Sequence, residues 1–531
     1  MYKIKNNICG DYMRRKKLII NALVMTFSTI IFGFVAMFFR VYLSKKIGTE
    51  GMGLYQLIMS VYIMSITFSS AGIRIAITRL VAEQVGRGNK KAIKSIVNKG
   101  CIYSLFFSLI TSVILFYGAE YISLNFLNDK RAISSLKILS YSLPFIGVSS
   151  CLSGYFYGAR EVVKSVSAEI IENLIMMVIV ILSINIFIDS SIEKVCALIC
   201  VGMAVGSIIS CIYAYFLCAL KVRTLNRTAS LSSYSECKII DITKIALPIA
   251  SSSYIQSGLR TIEDVLIPNA LRMAGTSLST SLSIFGMIKG MALPIINFPA
   301  VFLSSFATLI IPEIAEAHSL NRNKMVNFII SNVFRITFII SIFASGIFIT
   351  FSNDIGFLVY NNKEIGSIIK ILAPVIPIMY LERIMDGILN SLNKQVALLK
   401  INLVDMIIRI LIIYFIIPTR GIEGFIIVIF VSNIFNFTLN MINVLKVTNL
   451  QFNIFSWVVK PIICVSISAI SAYYISNEFL SRLLVSMVIY AIMLMVTRCV
   501  RIKDVHWIFD SFRLIKDVNV NSIKLYNDRY L

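Results

Sequence analysis

Ionisable residues interrupt several long apolar stretches of this 531-residue chain. Arg260 and Asp264 lie four residues apart in one stretch, and Lys289 stands in the next, between Gly286 and Pro294. A charged side chain at bilayer depth costs at least ~2.5 kcal/mol, so it usually faces a bundle interior or a hydrated cavity. This pattern suits the binding of an anionic group or of a coupling ion. We therefore predict that Arg260 and Lys289 bind an anionic substrate.

Two further arginines and three carboxylates extend this set. Arg40 and Arg74 come at the ends of the first and second apolar stretches, and we predict that they also bind substrate. Glu172, Asp264 and Asp386 are predicted to balance charge or to bind a coupling cation. Together the residues predict a hydrated cavity of mixed charge, which suits an amphipathic anion better than a neutral drug.

A purely structural role stays open for some of these charges. Arg40 is near a predicted helix end, where its long side chain could reach the membrane interface. Asp405 and Arg409 are four residues apart and could neutralise each other within one helix.

Catalytic and metal-binding signatures are absent from the sequence. It contains no GxxxxGK[ST] phosphate loop, no HExxH motif and no GxSxG elbow. Two histidines are too few for a histidine-based metal site, and the ten cysteines include no CxxC pair. We therefore predict that the protein is not an enzyme and has no cofactor or metal. Transport is expected to be driven by a Na⁺ or H⁺ gradient, by the membrane potential or by the gradient of the substrate.

The composition predicts an integral membrane protein. The chain is 57% hydrophobic and 15% charged, with a mean hydropathy of +0.83, whereas soluble domains carry roughly 25% charged residues. The net charge of +23 could indicate nucleic-acid binding. We prefer the positive-inside rule, because the basic residues cluster between apolar runs, and we expect no nucleic-acid partner.

The chain contains about fourteen apolar runs, each close to the ~20 residues that a membrane-spanning helix needs. Backbone groups in lipid must bond within their own segment, so we predict helices. The runs are 18–39, 53–73, 96–117, 133–157, 165–188, 193–220, 242–266, 284–311, 326–352, 366–391, 397–418, 421–446, 454–475 and 479–499.

The basic segments set the predicted orientation. The run 14–17 (RRKK) precedes an apolar stretch that is too long for the core of a cleavable signal peptide. With this end inside, the more basic loops fall on the cytoplasmic side. We predict a multi-pass protein of the cytoplasmic (inner) membrane with both termini in the cytoplasm.

A shift of 233 residues aligns the two halves of the chain without gaps. The matching pairs are Gly53 with Gly286, Ala82-Glu83 with Ala315-Glu316, Lys91 with Lys324, Lys137 with Lys370, Pro144 with Pro377, Gly154 with Gly387, and Glu172 with Asp405. We predict two pseudo-symmetric six-helix lobes plus two C-terminal helices. The predicted divisions are an N-lobe (1–220), a cytoplasmic linker (221–241), a C-lobe (242–446), two further helices (447–500) and a basic cytoplasmic tail (501–531).

Four stretches carry a family resemblance: KIGTEGMGLYQL (46–57), SAGIRIAITRLVAE (70–83), FPAVFLSSFATLIIPEIAEA (298–317) and LAPVIPIMYLERIMDGILNSLNKQ (372–395). They resemble the stage V sporulation protein B group of polysaccharide-transport proteins. That group belongs to the multidrug/oligosaccharidyl-lipid/polysaccharide flippase superfamily, which also contains the lipid II flippases. The resemblance implies two lobes with alternating access, an undecaprenyl-pyrophosphate-linked sugar as cargo, and a role in spore cortex peptidoglycan. It also implies cations in the central cavity, a role that Arg40 and Lys289 would fit.

The sequence thus predicts a flippase for a lipid II-like, polyprenyl-pyrophosphate-linked oligosaccharide. The expected partners are this lipid-linked sugar, membrane lipids and the cell-wall synthesis machinery, and we expect a monomer. The main alternative is a cation-coupled multidrug antiporter of the same superfamily. A glycan polymerase would need a large catalytic loop, which the sequence lacks. A structural scaffold with a sealed bundle is a further alternative.

Overall fold

The computed structural model describes residues 2–70, 72–186, 191–226, 239–448, 450, 452–475 and 478–499. Part of the predicted linker (227–238) and the predicted tail (501–531) lie outside the described residues. In the first half of the chain the helices are α1 (Tyr2–Ser70), α2 (Ile73–Arg87), α3 (Lys90–Tyr121), α4 (Ile133–Ser140), α5 (Leu143–Gly158), α6 (Val162–Ile184) and α7 (Ile192–Asn226).

The second half repeats the all-helical pattern. Its helices are α8 (Ile239–Met273), α9 (Leu278–Phe285), α10 (Leu293–Asn297), α11 (Ala300–Ser319), α12 (Asn323–Thr350), α13 (Ser352–Tyr360), α14 (Lys363–Leu372), α15 (Ile376–Ser391), α16 (Gln395–Arg420) and α17 (Ile422–Val447). Two C-terminal helices follow, α18 (Lys460–Ile475) and α19 (Phe479–Val496). The predicted all-α membrane fold is confirmed.

Nine spans within the described ranges are long and apolar enough to cross a bilayer, or ten if one bent pair counts as a single span. The predicted number of fourteen is therefore not reached by length and composition alone. Helices α8 and α16 have 35 and 26 residues, but they contain several of the ionisable residues considered below and are not among the nine. Large side chains are exposed on the surface, such as Tyr117 at 79%, Ile186 at 77% and Tyr474 at 83%. Such exposure fits contact with lipid, and the chain is a multi-pass membrane protein.

Helix α1 is longer than one crossing and breaks at Gly48. This residue has φ 68° and ψ −174°, a backbone conformation that favours glycine. The break falls between the first two predicted membrane helices, so α1 contains two successive membrane-length segments.

Another predicted span is bent. The segments Lys130–Ser140 and Leu143–Gly158 meet at 48°. Pro144 lies in the first turn of α5, where proline needs no backbone N–H. Pro377 takes the same place in α15.

Helix boundaries recur 233 residues apart, in the register of the aligned sequence halves. Helices α3 and α12 start at Lys90 and Asn323, and helices α6 and α16 start at Val162 and Gln395. Helices α5 (Leu143–Gly158) and α15 (Ile376–Ser391) correspond over their whole length. The connections agree as well, because left-handed residues recur at the same spacing. These pairs are Gly88 with Asn321, Asn128 with Asn361, and Arg160 with Asn393. The two halves are therefore built on one helical plan.

Equivalent glycines meet where the two halves cross. A Cβ atom added to Gly53 would lie 2.0 Å from the carbonyl oxygen of Leu282, and one added to Gly286 would lie 2.1 Å from that of Thr49. Under the 233-residue shift, Thr49 corresponds to Leu282 and Gly53 to Gly286. The shift therefore exchanges the two sides of the crossing. The pseudo-two-fold axis that relates the two halves passes through this contact.

Polar contacts join the halves beside this crossing. The hydroxyl of Ser279 in the second half donates to Glu50 in the first half at 2.6 Å, and Glu50 also forms an ion pair with Arg131 of its own half at 2.7 Å. Asn128 also donates to Asn269 at 3.1 Å. We call this region, formed by residues 48–53, 128–131 and 269–279, the Glu50 end. Burial raises the pKa of Glu50, but the hydrogen bonds from Ser279 and Arg131 outweigh it, so the pKa lies below its ordinary value of 4.5.

Candidate functional site

Helix α8 brings charged residues to the boundary between the halves. Its Thr261 hydroxyl donates to the backbone carbonyl of Ser60 in α1, at 3.0 Å. The neighbouring Glu263 is only 3% exposed. Because α8 also packs on α16, one turn of α8 reaches both the first half and the interior of the second half.

Five side chains from α8, α16 and the segment before α10 form an ion network. Lys289 lies 2.5 Å from Asp264 and 3.3 Å from Glu263. Arg409 contacts Glu263 and lies 3.7 Å from Asp405. Glu263 is thus shared by two cations, and three carboxylates face two cations. We call these five residues the α8 network.

A π-helical turn positions Lys289. The turn spans Gly286–Ala292 and joins α9 to α10. Such turns change the direction of side chains within a helix and are frequent at functional sites. Here the turn directs the ammonium group of Lys289 toward α8.

A second polar group lies next to the α8 network in the second half. Asn440 is fully buried and donates to Asp386 at 3.3 Å. Three buried acceptor oxygens, on Asp405, Asn436 and Asn440, have no hydrogen-bond partner in the described part of the chain. Buried oxygens usually have a donor or a cation beside them. Within the described residues, no three His, Cys, Asp or Glu side chains are grouped as a metal site.

The first half holds a separate cavity of about 300 Å³ between α1, α5, α6 and α7. Glu172 and Ser207 line it, and the Ser207 hydroxyl donates to the Glu172 carboxylate at 2.6 Å. Arg74 also lines it, with its guanidinium 4.8 Å from the ring centre of Tyr157. We call this cavity the N-lobe pocket.

The four cations predicted to bind substrate are spread along the bundle. Arg74 lies at the N-lobe pocket and Lys289 in the α8 network. Arg40 is close enough to Tyr55 and Tyr360 to interact with them electrostatically. Arg260 is exposed. Arg40 and Arg260 have no hydrogen bond or ion pair to any described residue, so no two of the four cations share such a partner.

The predicted carboxylates each have a different partner. Asp264 pairs with Lys289, although Arg260 is four residues away on the same helix. Glu172 accepts from Ser207, and Asp386 accepts from Asn440.

Our sequence-based set of site residues did not include Glu263, the shared carboxylate of the α8 network. Glu263 and Asp264 are adjacent in the sequence, and only the deeper burial of Glu263 on its face of the helix distinguishes the two carboxylates. Arg409 was expected to pair within α16, and it does approach Asp405. Its contact with Glu263 spans 146 residues, and no local spacing rule could have found it.

Comparison with known proteins places this fold among polysaccharide and transport proteins. A family model described as "Polysaccharide biosynthesis protein" matches residues 18–317. Stage V sporulation protein B of Bacillus subtilis (strain 168) is 24% identical over 476 residues, covering 87% of this chain and 92% of that protein. Sporulation protein YkvU of the same organism is 21% identical over 332 residues, covering 62% of this chain and 73% of that protein.

Solved structures share the fold at low sequence identity. The lipid II flippase MurJ, in an inward closed conformation, matches with a TM-score of 0.64 and 16% identity, covering 90% of this chain and 98% of that one. An inward-facing multidrug resistance MATE family transporter of the MOP superfamily matches with a TM-score of 0.58 and 14% identity, covering 81% and 98%. At these identities the likeness shows a common fold.

Proposed function

The chain belongs to the polysaccharide biosynthesis protein family, and we propose that it is a flippase for a polyprenyl-pyrophosphate-linked oligosaccharide in the cytoplasmic membrane. The cargo would be a lipid II-like precursor of cell-wall or spore-cortex peptidoglycan. Its anionic head would pass between an N-lobe (1–220) and a C-lobe (242–446), while the prenyl tail stays in lipid. The similarity to stage V sporulation protein B and the fold shared with MurJ support this proposal.

The α8 network is the observation that carries the proposal. Five charged side chains are held inside an apolar bundle where the lobes meet. Charges at such depth are expensive and usually mark a substrate or ion pathway. A carrier of neutral lipid would gain nothing from them, whereas a pyrophosphate needs cations along its path.

The network also suggests how the anion would be passed along. Arg40 and Arg260, which make no hydrogen bond or ion pair with another described residue, would make the first contacts with the pyrophosphate. Lys289 would then exchange Asp264 for a phosphate oxygen, because both anions compete for one ammonium group. The released Asp264 would take up a proton or a cation, which would link transport to an ion gradient.

The unpartnered oxygens of Asp405, Asn436 and Asn440 support a coupling site beside the network. Together with Asp386 they offer carboxylate and amide oxygens, the ligand type that hard cations prefer. In this proposal Asp386 binds the coupling ion, and Glu172 balances charge in the N-lobe.

The Glu50 end would form the outer gate. With both termini in the cytoplasm, as the positive-inside rule predicts, this end faces outward. The glycine crossing beside it and the Ser279–Glu50 hydrogen bond hold the lobes together, while Arg131 fixes Glu50 within the N-lobe. Outward opening would then require both contacts to separate.

Transport can be tested with purified protein in proteoliposomes that contain a polyprenyl-pyrophosphate sugar with a fluorescent head. The rate at which a membrane-impermeant quencher gains access to the head reports translocation. We expect Arg260→Ala to slow this rate about tenfold, the effect of ~1.4 kcal/mol. The matched control is Lys370→Ala, which removes an exposed cation at the end of α14. A folded wild-type protein that gives no translocation would refute the flippase.

The charge balance of the α8 network also favours a second candidate, a cation-coupled multidrug antiporter. Three carboxylates and two cations leave an acidic excess, which would suit a cationic drug. The fold shared with a MATE family transporter agrees with this alternative. Cationic dye efflux from cells that is lost in Asp264→Asn or Glu172→Gln, together with no translocation of the lipid-linked sugar, would establish it.

A further inference from the structure

The N-lobe pocket occupies the position in the first half that corresponds to the buried polar group beside the α8 network in the second half. The residues that line the pocket correspond, under the 233-residue shift, to the C-lobe carboxylates and amides. The pairs are Ser153 with Asp386, Glu172 with Asp405, and Ser207 with Asn440. One architectural position therefore has a carboxylate with hydrogen-bonding neighbours in both lobes.

Met176 makes the two positions different. It lines the N-lobe pocket and corresponds to Arg409 in the C-lobe. Arg409 brings a permanent positive charge to Asp405 and Glu263. The methionine brings none, so Glu172 is held by the Ser207 hydroxyl without a cation from its own helix.

The other charges of the pocket do not replace that missing cation. Glu169 adds a second carboxylate, and Arg74 adds one guanidinium. Arg74 interacts electrostatically with Glu169 but makes no ion pair within 4.0 Å with it or with Glu172, all three being described residues. With both carboxylates ionised, the pocket has one negative charge in excess.

Ser153 adds a further acceptor oxygen to the pocket. Its side chain lines the pocket and is only 9% exposed. Its hydroxyl has no hydrogen-bond partner in the described part of the chain. The oxygen is therefore available to accept from a group that enters the pocket.

We infer that the N-lobe pocket binds a primary ammonium group, and that during transport this group belongs to the polar head of the cargo. The inference rests on the proposed flippase function. An ammonium has three N–H donors and no acceptor. The oxygens of Glu172, Ser153 and Ser207 are the acceptors that it needs, and its charge matches the excess. The volume of about 300 Å³ is at the lower end of the ~300–1,000 Å³ range of small-molecule sites. It therefore suits one amino sugar or amino-acid side chain.

Two soluble sugars test the binding site directly. D-glucosamine has a free amine, and N-acetylglucosamine has the same ring with the amine acylated. Calorimetric titration of the full chain in nanodiscs should show that glucosamine binds at least about tenfold more tightly than N-acetylglucosamine, the factor for ~1.4 kcal/mol. Glu172→Gln should remove this preference.

The difference between the lobes provides a sharper variant. Met176→Arg places a guanidinium where the C-lobe has Arg409, and it should fill the site and abolish glucosamine binding. Met176→Leu changes the same side chain without adding a charge, so it should lower the affinity far less than Met176→Arg. A cooperative thermal unfolding transition well above the titration temperature shows that each variant is folded. Equal affinity for the two sugars, or glucosamine binding that persists in both Glu172→Gln and Met176→Arg, would overturn the inference.

Transport distinguishes the two sources of the ammonium. Lipid-linked sugars with a free and an acylated amine are compared in proteoliposomes. Preference for the free amine in the wild type, lost in Glu172→Gln, assigns the site to the cargo. Glucosamine binding without such a preference would overturn the cargo assignment and leave a site for free amines. If the wild type translocates neither lipid, the flippase proposal fails, while the calorimetric result still decides the site.

Discussion

In the C-lobe, buried carboxylates of the α8 network pair with resident cations, whereas in the N-lobe the equivalent carboxylate is held by a hydroxyl. Arg409 contacts Glu263 and approaches Asp405. Glu172, the counterpart of Asp405, accepts a hydrogen bond from Ser207 and has Met176 in the place of Arg409. Both lobes nevertheless share helix starts and turns in one register.

The contrast separates what the repeat determines from what single residues determine. The helical plan sets where a polar side chain can enter the apolar interior, so equivalent positions are polar in both lobes. The residue one turn further along then decides whether the charge is balanced internally or by a ligand. A duplicated fold can thus hold a closed ion network on one side and an open pocket on the other.

Replacing Arg409 with Met gives the C-lobe the residue of the N-lobe and should have the largest effect. Removing one partner of a buried ion pair leaves an uncompensated charge and costs about 3–5 kcal/mol. We expect a marked fall in the thermal unfolding midpoint of Arg409→Met in detergent. Glu172→Gln removes one hydrogen bond to a charged group and should cost about 1.5–3 kcal/mol at most.

The double variant Arg409→Met/Glu263→Gln sharpens this test. It also removes the Glu263 carboxylate, which Arg409→Met leaves buried without its arginine partner, so part of the lost stability should return. Equal destabilisation by Arg409→Met and Glu172→Gln would show that the two lobes hold their carboxylates alike, against the structure.

The glycine crossing should give smaller and equal effects in the two lobes. Gly53→Ala and Gly286→Ala each place a Cβ atom about 2 Å from a carbonyl oxygen of the other half, and such overpacking costs about 1–3 kcal/mol. Gly258→Ala is the control, since nothing lies within 4 Å of its Cβ position. Unfolding midpoints that fall for Gly53→Ala but not for Gly286→Ala would contradict a crossing on the symmetry axis.

The sequence was sufficient to predict the family resemblance and the all-α membrane fold, and both are confirmed. The 233-residue register was visible because glycines within helical segments, helix-start prolines and charged residues recur under one shift. The pairing of Lys289 with Asp264 and of Arg409 with Glu263 was not predictable. These contacts join helices far apart in the chain, and local spacing favoured pairs on one helix, such as Arg260 with Asp264.

The smallest predicted effect concerns the Glu50 end, where polar contacts between the lobes are exposed to solvent and to pH. The pKa of Glu50 is lowered, despite burial, by hydrogen bonds from Ser279 and Arg131. A lowered pKa means that the ionised carboxylate stabilises the folded protein above its unfolded pKa, and that this stability is lost as the pH falls through the folded pKa. The pair is partly exposed, at 24% and 23%, so its contribution should be about 1 kcal/mol or less.

Glu50→Gln should therefore lower the unfolding midpoint near neutral pH and leave it unchanged below the folded pKa of Glu50. Other carboxylates titrate in the same range, so the informative quantity is the difference between wild type and variant, measured from about pH 7 to about pH 3. The difference should shrink toward zero on acidification, and added salt should reduce it at neutral pH because exposed pairs are screened. A difference that stays constant over this range would mean that the Glu50 side chain stabilises this end through packing and not through its charge.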